Sequence, residues 1–179
     1  RDMGYIDIAN KAESYEICFV PDNDYRGFLK RKMPDLEASV AGGNFVDIHG
    51  KVLGKHQGYP FYTIGQRKGL GLAFGKPVFV TEIIPETNTV VLGEEQDLMR
   101  TGMWVGKLNL QKYAQIQDGM PAITKVRYKH EGESSVLFQK EDRIKVEFQT
   151  EVSAIAPGQS AVFYEGDDVL GGGVIFSNF

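Results

Sequence analysis

The sequence predicts a mainly β fold, with a small β-rich module in the first half and six short antiparallel strands in the second. Short runs of β-branched and aromatic residues recur after Trp104, and turn-forming residues separate them. The run from Arg143 to Phe148 alternates strictly between charged and apolar residues, which is typical of an antiparallel strand with one buried face. Only one stretch, near the N-terminus, spaces its apolar residues as a helix does.

The N-terminal region combines a β-favouring run with one short helix. Pro21 ends the run at residues 17–20, because proline cannot donate a hydrogen bond to a strand ladder. Residues 22–24 are Asp, Asn and Asp, and each of these types can cap a helix. We therefore expect a short helix that ends before Pro34. The residues at helical spacing are Tyr25, Phe28, Leu29 and Lys32.

A β-rich module follows Gly42-Gly43 and extends to an acidic, polar stretch at residues 93–101. We place a domain boundary in that stretch, so that the central module spans residues 24–98 and the C-terminal domain spans residues 99–179. The predicted elements of the module are a hairpin, Phe45 to Ile48 and Lys51 to Leu53 around His49-Gly50, and strands at Val78 to Ile84 and Thr89 to Leu92.

The C-terminal domain contains six predicted strands. Short strands with regular turn signals are typical of a small closed barrel or of a sandwich, and the residues alone leave both open. The strands are Val105 to Leu110, Ala122 to Tyr128, Ser135 to Gln139, Arg143 to Phe148, Ala161 to Tyr164 and Val169 to Ile175.

Composition limits the class of protein. A hydrophobic content of 42% and a charged content of 25% are those of an ordinary globular protein, and no apolar run reaches the roughly 20 residues that span a bilayer. The single cysteine cannot form an intrachain disulfide and favours a reducing compartment. We therefore expect a cytoplasmic protein without membrane contact. The net charge of -4 argues against nonspecific coating of nucleic acid, but it is compatible with a local basic groove.

The most distinctive part of the sequence is the glycine-rich segment, residues 56–75. Its glycines, at 58, 65, 69, 71 and 75, predict bends that a Cβ would hinder. No acidic residue lies between Asp47 and Glu82, whereas five cations do, and we call these the basic block. Such a segment can be a structural loop, and its glycine spacing is not that of a dinucleotide fingerprint. The basic block consists of Lys51, Lys55, Arg67, Lys68 and Lys76.

Three stretches, in order along the chain, resemble motifs of the bacterial tRNA-specific 2-thiouridylases. The first is KAESYEICFV at residues 11–20, and the second is HQGYPFYTIGQRKGLG at residues 56–71. The third is PGQSAVFY at residues 157–164, followed by Gly171-Gly172-Gly173. The resemblance covers nearly the whole chain, and it favours the barrel over the sandwich.

The resemblance implies a role for Cys18 as the residue that carries sulfur as a persulfide and then forms a disulfide with a second cysteine. Without the resemblance, a lone cysteine in an apolar run is more often a buried hydrophobe. The second cysteine, ATP and Mg²⁺ would belong to an N-terminal ATP-binding domain, of which residues 1–23 are the end. We expect this chain alone to be inactive and to bind no cofactor, and the three histidines show no spacing typical of metal ligands.

The same resemblance implies tRNA contacts at Arg127, Tyr128 and Gln159. Lys125, Arg127 and Lys129 lie two residues apart, so that a strand would project them from one face. Strict alternation would point Tyr128 to the opposite face, and Gln159 could equally be a plain turn amide. If they do not contact RNA, the three cations at 125, 127 and 129 would simply form a solvated strand face. His56 would then make only a local hydrogen bond. The remaining candidate contacts are His56, Gln66, Arg67 and Lys68.

The resemblance therefore implies the C-terminal part of an ATP-dependent tRNA sulfurtransferase that makes 2-thiouridine at wobble position 34. Expected partners are tRNA and a protein that donates sulfur, and we expect a monomer. Two alternatives remain: an RNA-binding module in which Cys18 is inert, and a structural or protein-interaction domain in which the glycine-rich segment only packs.

Overall fold

Two short helices occupy residues 24–40 of the computed structural model, which describes Val20, residues 24–127 and residues 130–179. Asp24 caps α1 (Tyr25–Lys32), because its Oδ1 accepts a hydrogen bond from the Gly27 N–H at 2.8 Å. The helix stops at Met33, before Pro34, as predicted. A second helix, α2 (Leu36–Val40), was not predicted, since five residues are too short to show a period. No residue of α1 is buried.

Contacts divide the chain into two compact units, Arg1–Val40 and Ala41–Phe179. The second unit begins with a four-stranded sheet in the order β2-β1-β4-β3. β1 and β2 form the predicted hairpin, whereas β1 also pairs in parallel with β4, which short-range patterns could not predict. The strands are β1 (Asn44–Asp47), β2 (Val52–Lys55), β3 (Phe79–Ile84) and β4 (Thr89–Gly93).

The rest of the second unit is a closed six-stranded barrel in the order β10-β5-β8-β7-β6-β9, and every neighbouring pair is antiparallel. The predicted mainly β fold with a six-stranded antiparallel barrel is confirmed. The strands are β5 (Met99–Leu110), β6 (Met120–Lys125), β7 (Glu133–Lys140), β8 (Arg143–Ser153), β9 (Ser160–Glu165) and β10 (Asp168–Asn178). The domain boundaries at 23/24 and 98/99 stay predictions.

Alternation along the strands produces the barrel core. In β8, Ile144 and Val146 are completely buried, and the charged residues that alternate with them, Arg143, Lys145 and Glu147, face outward. β6 is shorter than predicted and ends at Lys125, after which the chain turns, with the His130 N–H donating to the Arg127 carbonyl at 3.0 Å. Tyr128 lies outside the described residues. Within residues 24–127 and 130–179, no helix has the length and apolarity needed to cross a membrane.

Substitutions of inward and outward residues on neighbouring strands should differ strongly in how much they lower the free energy of unfolding. Leu137 is completely buried in the barrel, whereas Ile123 is 38% exposed. Leu137→Ala should lower the free energy of unfolding by about 2–5 kcal/mol, through lost burial and the cavity left behind. Ile123→Ala, the matched control, should cost less than about 1 kcal/mol. Urea denaturation of both variants measures the difference, and equal losses would contradict the assigned inward face.

Candidate nucleic-acid interface

A groove on the outside of the barrel brings together three of the residues predicted to contact tRNA. It has a volume of about 400 Å³ and lies where the end of β6 runs beside the start of β9. Lys125 pairs with Val162 across these two strands. We call this cleft the barrel groove. Its lining residues are Lys125, Val126, Arg127, Gln159, Ser160, Val162 and Tyr164.

Both cations of the barrel groove are oriented by neighbours that do not neutralise them. The Lys125 Nζ lies 5.3 Å from the centre of the Tyr164 ring, close enough for a cation–π contact. One Nη of Arg127 donates to the Ser153 carbonyl at 3.3 Å, so most of the five guanidinium N–H groups remain for another acceptor. Tyr164 was not predicted as a site residue. Alternation along the stretch Ala161 to Tyr164 would have placed it outward.

Gln159 is presented to the barrel groove by a turn whose backbone is bound to β10. The Gly158 N–H donates to the Ile175 carbonyl, and the Ile175 N–H donates to the Gln159 carbonyl, each at 2.8 Å. Gly158 has a φ of 88°, which glycine adopts without the cost that a Cβ would add. The Gln159 side chain is exposed. This turn therefore connects the chain to β10 and also places the Gln159 amide at the rim of the barrel groove.

The glycine-rich segment is bound to the sheet and reaches the barrel. The Gly65 N–H donates to the Val80 carbonyl at 2.8 Å, and the Val80 N–H donates to the Gln66 carbonyl at 2.9 Å. A Cβ added at Gly65 would lie 3.1 Å from the Cβ of Ala154 on the barrel. The predicted bends are confirmed by a positive φ at every glycine of the segment, namely Gly58, Gly65, Gly69, Gly71 and Gly75.

Residues 66–68 divide into one that shapes the loop and two that face solvent. The Oε1 of Gln66 accepts from the Thr63 N–H at 3.1 Å, and its Nε2 donates to the Lys68 carbonyl at 2.9 Å. The side chains of Arg67 and Lys68 are exposed. Gln66 is therefore occupied by internal hydrogen bonds in this conformation, and its predicted contact with tRNA remains untested.

The barrel groove and the glycine-rich segment meet at Ser153-Ala154. The Ser153 carbonyl holds Arg127, and the next residue, Ala154, contacts Gly65. The Ala154 N–H also donates to the Leu98 carbonyl at 3.1 Å, which attaches this turn to the segment that joins β4 to β5. Candidate RNA contacts from two distant parts of the sequence thus lie on either side of one turn.

Most cations of these two regions have no carboxylate partner. Among the described residues, no Asp or Glu oxygen lies within 4.0 Å of Arg67, Lys68, Lys125 or Arg127. Lys76, at the end of the basic block, is different and pairs with Glu94 at 2.5 Å. The local positive charge is therefore available to an external anion, although the chain as a whole is acidic.

His56 is a packing residue in this structure. It is 5% exposed, its Nδ1 accepts from the Gly58 N–H at 3.0 Å, and its ring lies 5.1 Å from Phe45 and 5.4 Å from Tyr62. Burial lowers the pKa of His56, the Asn88 carbonyl partly opposes this effect, and the charge of Lys55 adds to it. The local hydrogen bond is thus present, and burial weighs against a direct contact with RNA.

Two predicted site residues, Cys18 and Tyr128, lie outside the described residues, and their roles stay predictions. Within the described ranges, no group of three or more His, Cys, Asp or Glu side chains is arranged to hold a metal ion. The residues of the barrel groove and of the glycine-rich segment are suited to binding. They combine fixed cations, an aromatic ring and amides, which are the groups that contact phosphates and bases.

Two family models match the chain. The tRNA methyl transferase PRC-barrel domain matches residues 26–94, and the aminomethyltransferase beta-barrel domain matches residues 100–175.

Relatives at high identity carry one name. The tRNA-specific 2-thiouridylase MnmA of Cytophaga hutchinsonii is 60% identical over 99% of this chain and 49% of its own length. The protein of that name from Amoebophilus asiaticus is 57% identical over 98% of this chain and 47% of its own. The one from Salinibacter ruber is 49% identical over 97% and 46%. The chain spans about half the length of these curated relatives.

Burial of His56 predicts a pH dependence of stability. Because its folded pKa is lowered, the unfolded chain takes up a proton first as the pH falls below about 6.5, and the free energy of unfolding then declines. Burial also lowers the pKa of His130, which contributes with the same sign. We expect urea denaturation to give a lower stability at pH 5.5 than at pH 7.5. His56→Gln should reduce that difference, and an unchanged difference would show that His56 does not cause it.

Proposed function

The chain belongs to the tRNA-specific 2-thiouridylase family over the half of its relatives' length that it spans, and on this premise we propose that it provides the sulfur-carrying cysteine and a tRNA-binding surface of such an enzyme. The tRNA-binding surface consists of the barrel groove and the exposed cations of the glycine-rich segment. Cytoplasmic tRNA and a sulfur-donating protein are the proposed partners, and we propose a monomer.

The observation that supports tRNA binding is the convergence at Ser153-Ala154. Lys125, Arg127 and Gln159 line a single groove, and Gly65 approaches the turn that holds Arg127. The cations supply affinity for phosphates, whereas the Gln159 amide and the Tyr164 ring suit bases or sugars. Because the groups come from the sheet and the barrel together, a folded RNA fits them better than a short oligonucleotide does.

The proposed reaction replaces the C2 oxygen of uridine 34 with sulfur. Adenylation with ATP converts that oxygen into a leaving group, and ATP and Mg²⁺ are assigned to a part of the enzyme outside this chain. The terminal sulfur of a Cys18 persulfide then attacks C2, and the C2–O bond breaks as AMP leaves. A second cysteine attacks the inner sulfur, which releases the thiolated base and leaves a disulfide.

The alternative without catalysis is an RNA-binding module in which Cys18 is inert. A second alternative is that the glycine-rich segment has a purely structural role. The internal hydrogen bonds of Gln66 and the burial of His56 favour it. Neither residue, however, lines the barrel groove. Binding and chemistry therefore need separate tests.

The first test compares Arg127→Ala with Gln159→Ala. Arg127→Ala should weaken tRNA binding and lower the slope of log affinity against log salt by about 0.7 to 0.9, because one phosphate contact is lost. Gln159→Ala should weaken binding with an unchanged slope, since an amide releases no counterion. Both side chains are exposed, so each variant should lose less than about 0.5 kcal/mol of stability.

The measurement is tRNA affinity at several salt concentrations, together with thermal melts. Lys140→Ala is the control, because Lys140 lies on the same barrel and pairs with Asp118 at 3.0 Å. If Arg127→Ala unfolds the barrel while its folded fraction binds tRNA normally, Arg127 is structural and this part of the proposal fails.

The second test addresses Cys18 in the complete enzyme. Cys18→Ser should abolish 2-thiouridine formation, because a hydroxyl cannot carry a persulfide, while adenylation of the tRNA should continue. Detection of 2-thiouridine by mass spectrometry, with release of pyrophosphate from ATP as the second readout, separates the two steps. Thiolation at the normal rate by the serine variant would favour the inert cysteine.

A further inference from the structure

β5 contains a bulge beside β10. Gly172 pairs with Asn109 and Val174 pairs with Gly106, so two residues of β5, Lys107 and Leu108, face the single residue between those of β10. Such bulges bend a strand and re-aim a side chain, and they are frequent next to functional sites.

Lys107 occupies a backbone conformation that suits glycine better. Its φ is 48°, in the left-handed region, where an L-residue with a Cβ is disfavoured. The lysine side chain gains no ion pair there, since no carboxylate of the described residues lies within 4.0 Å of it. A charged residue held in a costly conformation, exposed and without an internal partner, points to an external anion.

The bulge borders a second cleft on the outer face of the barrel, with a volume of about 380 Å³. Half-exposed Gly172 and Gly173 lie in it, so the backbone is uncovered and a ligand can approach closely. We call this cleft the glycine groove. Its other lining residues are Lys107, Asn109, Gln111, Ser160, Ala161, Val162, Val169, Gly171 and Val174.

The glycine groove is continuous with the barrel groove. Ser160 and Val162 of β9 line both, so the two clefts lie on either side of one strand. The cations Lys125 and Arg127 stand at one end of this continuous surface, and Lys107 stands at the other. A chain molecule with regularly spaced negative charges fits such an arrangement.

Asn109 lines the glycine groove and brings a further hydrogen-bond donor to it. Its Oδ1 accepts from Gln111 Nε2 at 2.8 Å, whereas its Nδ2 has no hydrogen-bond partner among the described residues. An amide N–H beside an exposed ammonium is a suitable pair of donors for a phosphate oxygen.

We propose that Lys107 and Asn109 bind a second segment of the sugar–phosphate backbone of the tRNA that occupies the barrel groove. This inference rests on the proposed function and extends its binding surface across β9. Glu141 and Asp142 line a neighbouring cleft on the other side of Lys107. Arg143 also lines that cleft and lies 4.0 Å from Asp142, but the net charge of these three side chains is negative, so the path of the RNA runs from Lys107 toward Ser160.

The decisive variant is Lys107→Gly, because glycine relieves the left-handed conformation while the charge is removed. The variant should melt at the same temperature as wild type or higher, yet bind tRNA more weakly. The slope of log affinity against log salt should fall by about 0.7 to 0.9. The ratio of wild-type to variant affinity should therefore be about threefold smaller at about 200 mM salt than at about 50 mM salt.

Two further variants complete the experiment on the 179-residue chain with unmodified tRNA. Lys107→Arg should retain both the affinity and the salt slope, because the charge is kept. Lys140→Ala, which removes a paired lysine elsewhere on the barrel, should change neither.

The outcomes separate this inference from the proposed function. If Arg127→Ala lowers the affinity and the salt slope but Lys107→Gly binds like wild type, the barrel groove binds tRNA and the extension across β9 is wrong. If neither variant changes tRNA binding, the tRNA-binding surface named under the proposed function is itself wrong. If Lys107→Arg loses as much affinity as Lys107→Gly, the charge is not the cause and the phosphate contact is excluded.

Discussion

Closure of the six-stranded ladder is the constraint on which the rest of the second unit depends. A closed barrel of so few strands needs tight coiling, and β10 meets this need with glycine. A Cβ at Gly172 would lie 2.3 Å from the Ala161 carbonyl oxygen, and one at Gly173 would lie 2.4 Å from that of Gly106. The glycine triplet of the third motif is therefore required by the architecture, and the uncovered backbone it leaves on the outer face is a consequence.

The same closure determines where charge can be presented. Inward positions of the strands are taken by a largely apolar core, in which the hydroxyls of buried Thr124 and Ser135 bond to each other, so the described cations of the barrel lie on its outer face or at a strand end. Among the described residues of that face, Lys112, Lys140 and Lys145 each pair with a carboxylate, whereas Lys107, Lys125 and Arg127 do not. An acidic chain thus keeps a restricted surface for an anionic partner. Salt screens such a surface and should therefore weaken its binding to an anionic partner.

Local patterns predicted the fold well because its strands alternate cleanly. The inward positions of β6 and β8 follow directly from period two, and the Asp24 cap and Pro34 delimit α1 by local chemistry. The parallel pairing of β1 with β4 and the short helix α2 were beyond such patterns. The first depends on residues more than forty apart in sequence, and the second on a segment too short to show a period.

The sequence identified which residues belong to the site, but not which of them stabilise the loop and which face solvent. The motif around residues 56–71 contains His56 and Gln66, which hold the chain internally, and Arg67 and Lys68, which face solvent. These roles depend on contacts with Phe45 and Tyr62 and on the path of the loop, none of which a motif records. A motif therefore identifies a set of residues, and only the structure shows which of them are exposed and which are internal. Lys107 is the converse case, because no motif contains it and its distinguishing properties are its backbone conformation and its place beside the glycine groove.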